Sequence, residues 1–232
     1  MWRFMIFSDL HCPFHDPRAV KLLIRVAADI KPDLLIAAGD LCDAYSLSKF
    51  AKDPKRKTNI VDEIKTMHGV LSILDAPHKK YILGNHEDRL RKYGWQTAPA
   101  VWGFLRDHHD FGMKNLGWDM IPYNQSFKTG DLVVAHDFGR IGDGAAKHAA
   151  ILHPDKKVVI GHTHKISNYK EAHTLGWLGD VDKIDYMHLD VIKDEWRHGF
   201  MVGTLDKQNR AHLKPVGINN YVCHVAGKIY EG

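Results

Sequence analysis

The chain has 232 residues, of which 44% are hydrophobic and 26% charged, and its net charge is +4 when histidine is neutral. This length suits one large domain or two small ones, and no linker-like or repetitive segment divides it, so we expect a single domain over residues 1–232. The weak positive charge permits a phosphate-bearing partner but does not require a nucleic acid.

The cysteines and the first residues indicate the compartment. Cys12, Cys42 and Cys223 form an odd set without a CxxC pair, which argues against a disulfide framework or a zinc knuckle. The opening sequence MWRFMIFSDLH contains an apolar run too short to cross a membrane and no signal-peptide cleavage site. We therefore expect a cytoplasmic protein without a membrane segment.

The first half of the chain has the pattern of β-α-β units. An apolar strand is predicted over 4–8, an amphipathic helix over 18–30 with Pro17 in its first turn, and a second strand over 34–38. The elements predicted next are a helix over 58–74 capped by Thr58, a strand over 80–83, helical pieces in 88–106 broken near Gly94 and Pro99, a short strand into Tyr123, a strand over 131–135, a helix over 144–152 and a strand over 157–160. Alternating residues predict antiparallel strands over 186–191, 199–205 and 211–217.

Metal-ligand side chains follow the ends of five predicted strands. They are Asp9 and His11, then Asp40, then Asn85 and His86, then His136, and finally His162 and His164. Because ligands collect at the carboxyl ends of parallel strands, we expect these side chains to converge. A single HxH pair could be a surface feature, but this many oxygen and nitrogen donors exceeds the needs of one ion and suits two metal ions.

The motifs DLH, GDLCD, GNHE and GHTH, with a strand that ends in histidine, stand in a characteristic order. In this order the chain resembles the calcineurin-like metallophosphoesterase superfamily, and in particular its small stand-alone members of bacterial and phage genomes. The resemblance implies an α/β fold, a four-layer α/β/β/α sandwich of two mixed β-sheets. It also implies a hydrolase that cleaves phosphate esters at a binuclear metal centre.

The resemblance further implies a role for each motif residue. Asp9, His11 and His164 are expected to hold one ion, Asn85, His136 and His162 the other, and Asp40 to bridge them. His86 is expected to face the substrate and to stabilise or protonate the leaving oxygen, and Asp43 to orient it through its other ring nitrogen. A hydroxide shared by the two divalent metal ions is the implied nucleophile. Oxygen and nitrogen donors without thiolate suit manganese, Mn(II), and also admit Fe, Zn, Ni or Co.

Two motifs depart from relatives in the superfamily. In its serine/threonine protein phosphatases the second motif continues into Arg-Gly, whereas Ala44 and Tyr45 follow here, so a phosphoprotein substrate is disfavoured. The fourth motif usually reads His-Gly, whereas Asp137 follows His136 here. Asp137 either contacts the site or caps the turn that follows.

Other residues have two interpretations each. Arg89 either binds phosphate or lies on a solvated helix face paired with Glu87 or Asp88, and His15 either lines the cleft or is a local neighbour of it. Tyr45, Trp95 and Trp102 could each stack on a base, and for the two tryptophans packing in the core is the favoured alternative. Cys12 and Cys42 are expected to be small buried neighbours of the ligands.

The function expected from these features is hydrolysis of a phosphodiester, in a nucleotide or in DNA. One alternative is a phosphomonoesterase, which needs additional cations for a dianionic substrate. Another is a non-catalytic interaction scaffold, against which the complete ligand set and His86 argue. Segments 44–57, 94–123 and 167–196 are the expected cleft walls, and the natural substrate and the oligomeric state stay open.

Overall fold

The computed structural model describes residues 1–106, 111–183 and 195–232. Its strands are β1 (Trp2–Phe7), β2 (Leu34–Ala37), β3 (His78–Ile82), β4 (Asp119–Ile121), β5 (Phe127–Thr129), β6 (Leu132–Ala135), β7 (Lys157–Ile160), β8 (Ser167–Tyr169), β9 (Ala172–Thr174), β10 (His198–Leu205), β11 (Ala211–Ile218), β12 (Val222–Val225) and β13 (Lys228–Glu231). Its α-helices are α1 (Pro17–Ile30), α2 (Ile60–Leu71), α3 (Asp88–Thr97), α4 (Pro99–Arg106) and α5 (Gly144–Leu152). Short 3₁₀ helices occupy Tyr45–Leu47, Met113–Leu116 and Val181–Lys183.

The strands form two mixed sheets and one hairpin. The six-stranded sheet has the order β11-β10-β1-β2-β3-β4, in which β1 to β4 are parallel and β10 and β11 antiparallel. The five-stranded sheet has the order β5-β6-β7-β9-β8, with a parallel centre and antiparallel edges. Strands β2 (LLIA) and β6 (LVVA) are apolar throughout because both of their faces are buried.

The side chains of the central strands alternate between an inner and an outer core. Phe4 and Ile36 of the six-stranded sheet pack in one cluster with Val134 and Val159 of the other sheet. The opposite faces are covered by helices, the six-stranded sheet by α1 and α2, and the five-stranded sheet by α5. The order of layers is therefore α/β/β/α, and the expected fold class is confirmed.

Helix starts follow capping chemistry. The Asp16 carboxylate accepts hydrogen bonds from the backbone N–H of Arg18 (2.8 Å) and Ala19 (3.2 Å), and Pro17 begins α1. The predicted cap of α2, Thr58, is wrong, because the neighbouring Asn59 accepts from the N–H of Asp62 at 3.1 Å. The Asn59 amide also donates to the Asp62 carboxylate. Thr58 lies one residue further from the helix and does not make this contact.

Several predicted boundaries shift. The third strand begins at His78 rather than residue 80, because its parallel pairing starts with Leu34 opposite His78. The strand predicted into Tyr123 ends at Ile121, before Pro122, which has no N–H for a ladder. The strands expected over 199–205 and 211–217 are present as an antiparallel pair. The strand predicted over 186–191 lies outside the described residues.

The two tryptophans differ in burial. Trp102 is 8% exposed and buried as predicted. The prediction for Trp95 is wrong, since it is 52% exposed and the Arg91 guanidinium lies 4.2 Å from its ring centroid.

Within the described ranges, none of the helices combines the length and the apolar character required to cross a membrane.

We predict that Asp16→Ala lowers the free energy of unfolding by about 1–2 kcal/mol, because α1 loses its cap. The same substitution removes the acceptor of the Tyr221 hydroxyl, which lies 2.8 Å from the carboxylate. Urea unfolding measures the difference, and Asp155→Ala, on an exposed turn, is the matched control. Equal stability of the two variants would contradict this role of the cap.

Candidate metal centre

The seven predicted ligands lie at the carboxyl ends of strands from both sheets. They follow β1, β2 and β3 of one sheet and β6 and β7 of the other. Five of them have left-handed backbones, at φ values of 55° for Asp9, 53° for His11, 52° for Asp40, 67° for His162 and 59° for His164. Such backbone costs about 1 kcal/mol or more per residue and persists where the surroundings impose it, typically at functional sites. It turns each side chain out of its strand and towards the others.

The first group of donors is Asp9, His11 and His164. Asp9 Oδ1 lies 3.2 Å from His164 Nε2 and 3.8 Å from His11 Nε2, and the two Nε2 atoms are 3.2 Å apart. Within the described part of the chain, neither Asp9 Oδ1 nor His164 Nδ1 has a hydrogen-bond partner, although both are buried. Two facing ring nitrogens and a buried carboxylate oxygen form a donor set that a divalent cation satisfies.

The second group surrounds His136. Its Nε2 lies 3.2 Å from Asp40 Oδ2 and 3.0 Å from Asn85 Oδ1, and the ring centroid of His162 is 5.1 Å from its own. Asp40 also belongs to a cluster with His11 and His86 whose ligand atoms all lie within 4.8 Å of one another. Asp40 therefore lies between the two groups.

Hydrogen bonds at the far ring nitrogens orient the imidazoles. His11 Nδ1 donates to Asp43 Oδ2 at 3.1 Å, and His136 Nδ1 donates to the Ala38 carbonyl at 2.8 Å, so that each Nε2 faces the cluster. The expected contact of Asp43 with His86 differs in detail. His86 Nδ1 donates to the backbone carbonyl of Asp43 at 2.9 Å, because the Asp43 carboxylate lies nearer to His11 and 3.5 Å from His86.

Glu87, the last residue of GNHE, has a structural role that the sequence did not reveal. Its buried carboxylate accepts from the N–H groups of Asp40, Leu41 and Cys42 after β2 and of Gly84 after β3, at 2.7–3.0 Å. The Tyr81 hydroxyl also donates to it at 2.7 Å. Burial and the adjacent Asp40 raise the pKa of Glu87. One side chain therefore joins the two loops that present the ligands.

Each buried carboxylate stabilises the charged form of the imidazoles beside it, and the imidazoles in turn stabilise the ionised carboxylate. Burial alone lowers the pKa of His11, but the hydrogen bond to Asp43 and the nearby Asp9 carboxylate outweigh it and raise this pKa to about 10. Burial also opposes the charge on His136, and Asp40 raises its pKa to about 10. The pKa of Asp40 lies well below its usual value despite burial, because His136 and His86 are close. The buried carboxylates therefore favour positive charge beside them, which is carried either by protonated imidazoles or by a bound cation.

A cleft of about 640 Å³ opens over this cluster. Its lining includes Asp40, Asn85, His86, His162 and His164, together with Phe14, Asp43, Tyr45, Ser48, Phe50, Ala51, Arg56, Arg89, Lys183 and Trp196. The predicted substrate residues Arg89 and Tyr45 are thus in the lining. The half-buried His15 is not, and its neighbour Phe14 takes that place because His15 pairs with Gly179 instead.

Arg89 is not on a solvated face paired with Glu87 or Asp88. Its Nη1 donates to the carbonyl (2.9 Å) and carboxylate (3.3 Å) of Asp43, and its Nη2 donates to His86 Nε2 at 3.1 Å. Arg91 pairs with Asp88 in its place. A guanidinium is therefore held at the ring nitrogen of His86 that faces the cleft.

The remaining sequence expectations concern small neighbours of the ligands. Cys12 and Cys42 are fully buried and free, as predicted, and pair through a backbone bridge. Asp137 caps the turn after His136, accepting from Gly139 N–H at 2.7 Å, and it also accepts from the Tyr123 hydroxyl at 3.1 Å. Of the two interpretations of Asp137, the turn cap is therefore the one that the structure supports.

Two tryptophans that follow His164 in the chain pack against its ring. The Trp177 ring stacks on it at 5.0 Å between centroids and 17° between planes. Trp196 meets it edge to face at 4.1 Å. No local pattern in the sequence singles out Trp177 for this contact. The described residues Trp177 and Trp196 of the expected cleft wall thus pack against a candidate ligand.

Comparison with known proteins identifies the family of this chain. The sequence model of the calcineurin-like phosphoesterase family matches residues 3–199, and the chain belongs to this family. The cluster of aspartates and histidines accords with the metal-dependent hydrolysis of phosphate esters.

Individual similarities extend over almost the whole chain. The Gene 54 protein of Mycobacterium phage L5 is 27% identical, over 99% of this chain and 98% of its own. Vps29 from Entamoeba histolytica has a TM-score of 0.46 at 13% identity, covering 94% of this chain and 99% of its own. The phosphoesterase YfcE from E. coli has a TM-score of 0.40 at 13% identity, covering 94% of this chain and 100% of its own.

We predict that Glu87→Gln destabilises the protein by about 3 kcal/mol, because an amide NH₂ then faces backbone N–H donors in a buried place. Urea unfolding measures this, and metal analysis of the folded fraction should show fewer ions bound. Glu171→Gln, at an exposed position, is the control. A Glu87→Gln variant as stable as the control would refute the joining role.

Proposed function

We propose that the protein is a phosphodiesterase with two divalent ions at the cluster. Asp9, His11 and His164 would hold one ion, Asn85, His136 and His162 the other, and Asp40 would bridge them. The observation that carries the proposal is the position of Asp40 between two donor groups, 3.2 Å from His136 Nε2 and within the reach of His11. Single ions rarely need so many donors.

The reaction adds water across a P–O ester bond, so that phosphorus gains the water oxygen and the leaving oxygen gains a proton. Divalent ions supply, when bound, positive charge for the phosphate oxygens and acidification of the attacking water. Mn(II) is the ion we propose, because the donors are carboxylate, amide and imidazole without thiolate. Three buried cysteines without a disulfide fit a reducing cytoplasm.

His86 and Arg89 act on the substrate from the cleft. The Asp43 carbonyl fixes Nδ1 of His86, so that Nε2 is the atom that faces the leaving oxygen. Once a phosphate oxygen has accepted the Arg89 hydrogen bond in its place, Nε2 takes up a proton from solvent and transfers it to the leaving oxygen. Arg89, which donates to this Nε2, is placed to contact a phosphate oxygen from the same position. Its charge is partly balanced by Asp43 at 3.3 Å, which suits a singly charged diester better than a dianionic monoester.

The proposal is tested with two chromogenic esters. Protein stripped with chelator and given Mn(II) is assayed on bis(p-nitrophenyl) phosphate and on p-nitrophenyl phosphate. We expect faster cleavage of the diester and loss of activity when chelator is restored. A preference for the monoester would point to a phosphomonoesterase instead. Folded protein that is inactive with every divalent metal would favour the scaffold.

We predict that His86→Asn lowers kcat on the diester by about 10²–10⁴-fold, the usual contribution of a general acid. The metal content, measured by elemental analysis, should not change, because His86 is not a ligand in this assignment. His224→Asn, on an exposed strand position, is the matched control. Full activity of His86→Asn would remove His86 from the reaction.

We predict that Arg89→Gln lowers kcat/KM on the diester by about 10–100-fold, as expected for loss of a charged hydrogen bond to phosphate. Arg91→Gln, two positions further along the helix and paired with Asp88, should change it by less than about 2-fold, because Arg91 is outside the cleft lining and Asp88 keeps Lys92 as a partner at 3.1 Å. Steady-state kinetics at fixed Mn(II) separate the two. Equal effects would show that Arg89 has no specific part.

A further inference from the structure

The wall of the cleft formed by residues 44–57, here called the basic rim, concentrates the charge of the protein. It contains one carboxylate, Asp53, and five cations, which are Lys49, Lys52, Lys55, Arg56 and Lys57. Its net charge of +4 equals that of the whole chain, so that the remaining residues are neutral overall. The basic rim is therefore a local concentration of positive charge beside the cleft.

The basic rim also presents an aromatic ring to the cleft. Phe50 lines the cleft and is nevertheless 65% exposed, with Lys49 Nζ 5.6 Å from its ring centroid. Nearby rings have packing partners, since Phe14 and Tyr45 meet edge to face at 5.5 Å. The Arg56 guanidinium covers Phe14 at 4.8 Å. Phe50 thus offers a face for stacking rather than a contact for the core.

The basic rim is held in place by hydrogen bonds. The Glu63 carboxylate accepts from the N–H groups of Tyr45 (2.8 Å) and Ser46 (3.1 Å). The Tyr45 hydroxyl accepts from Asp53 N–H at 2.7 Å, and Lys52 Nζ donates to the Ser46 carbonyl at 2.6 Å. A run of basic residues on a solvated loop needs none of these contacts. They place the cations and Phe50 relative to the metal centre.

We propose that the basic rim is a nucleotide subsite for single-stranded nucleic acid. A base stacks on Phe50, and the exposed Lys55 and Lys57 neutralise phosphates that flank the one at the metal centre. Aromatic rings interleaved with cations are the means by which proteins bind single strands, whose bases are free to stack. Duplexes are disfavoured because their bases already stack on one another. The inference rests on the proposed diesterase activity and names its substrate.

The first test compares two esters that share a leaving group. The Mn(II)-loaded protein is assayed on methyl p-nitrophenyl phosphate and on the p-nitrophenyl ester of thymidine 5′-phosphate. We expect wild type to prefer the thymidine ester. Phe50→Ala should lower kcat/KM on that ester by about 5–100-fold, the loss of one base–aromatic stack. On the methyl ester it should change kcat/KM by less than about 2-fold, because no base is present.

A matched control uses a second ring with lysines beside it. Tyr169 is exposed on β8, with Lys147 and Lys170 Nζ atoms 6.0 and 5.9 Å from its centroid, and it is outside the cleft lining. Tyr169→Ala should leave both esters unaffected. Equal loss in Tyr169→Ala and Phe50→Ala, or no preference of wild type for the thymidine ester, would overturn the subsite. Absence of turnover on the methyl ester in wild type would instead defeat the diesterase proposal.

The second test concerns the flanking phosphates. Cleavage of a 5′-labelled oligothymidylate is measured over a range of salt concentrations. In Lys55→Gln/Lys57→Gln the slope of log(kcat/KM) against log[salt] should become shallower by about 1.4, since each contact on a single strand contributes about 0.7. Lys147→Gln/Lys170→Gln should keep the wild-type slope. An unchanged slope in the rim variant, or cleavage of the duplex as fast as the single strand, would refute the proposal.

Discussion

The burial of two carboxylates, Asp9 and Asp40, is the constraint on which the rest of the structure depends. Both are almost inaccessible to water, so their charges need partners within the protein. Asp9 Oδ2 accepts from His162 N–H at 3.0 Å, which joins the six-stranded sheet to the five-stranded one. Asp40 Oδ1 accepts from His86 N–H at 2.9 Å and joins two neighbouring loops. In each carboxylate, one oxygen binds the backbone of a loop and the second oxygen is available to the metal centre.

Close approach of the backbone makes this arrangement possible. A Cβ atom at Gly84 would lie 2.1 Å from Asp40 Oδ1, and one at Gly161 would lie 2.8 Å from Asp9 Oδ2. Glycine is thus needed in GNHE and in GHTH for the carboxylates to reach their N–H donors. Glu87 performs the same task from behind, by binding the backbone of both loops. The donors are in this way positioned before any ligand arrives, which is what binding and catalysis at a metal require.

The sequence predicted those features of the site that depend on local pattern. Polar residues directly after buried strands were assigned as converging ligands, since parallel strands bring their ends together, and this convergence is present for all seven. The function of Glu87 could not be predicted, because three of its five hydrogen-bond partners are backbone N–H groups of a loop more than forty residues away. Trp177 and Trp196 pack on His164 through long-range contacts, which have no periodic signal.

Errors in the predicted elements have a similar origin. Thr58 and Asn59 are both capping residues, and only the contact with Asp62 distinguishes them. The extent of β3 depends on its pairing with β2, and the orientation of Arg89 depends on Asp43 from another loop. His15 is close to the ligands in sequence, yet its pairing with Gly179 takes it out of the cleft lining. Closeness to a ligand in sequence therefore predicts a site residue less well than a position at the end of a strand.

The most direct test of the central claim is anomalous X-ray diffraction from crystals grown with Mn(II), recorded on wild type and on Asp40→Asn. The account predicts two manganese peaks in the wild type, a few ångströms apart, with Asp40 in contact with both, and reduced occupancy in the variant. A single peak, or peaks that do not touch Asp40, would contradict it.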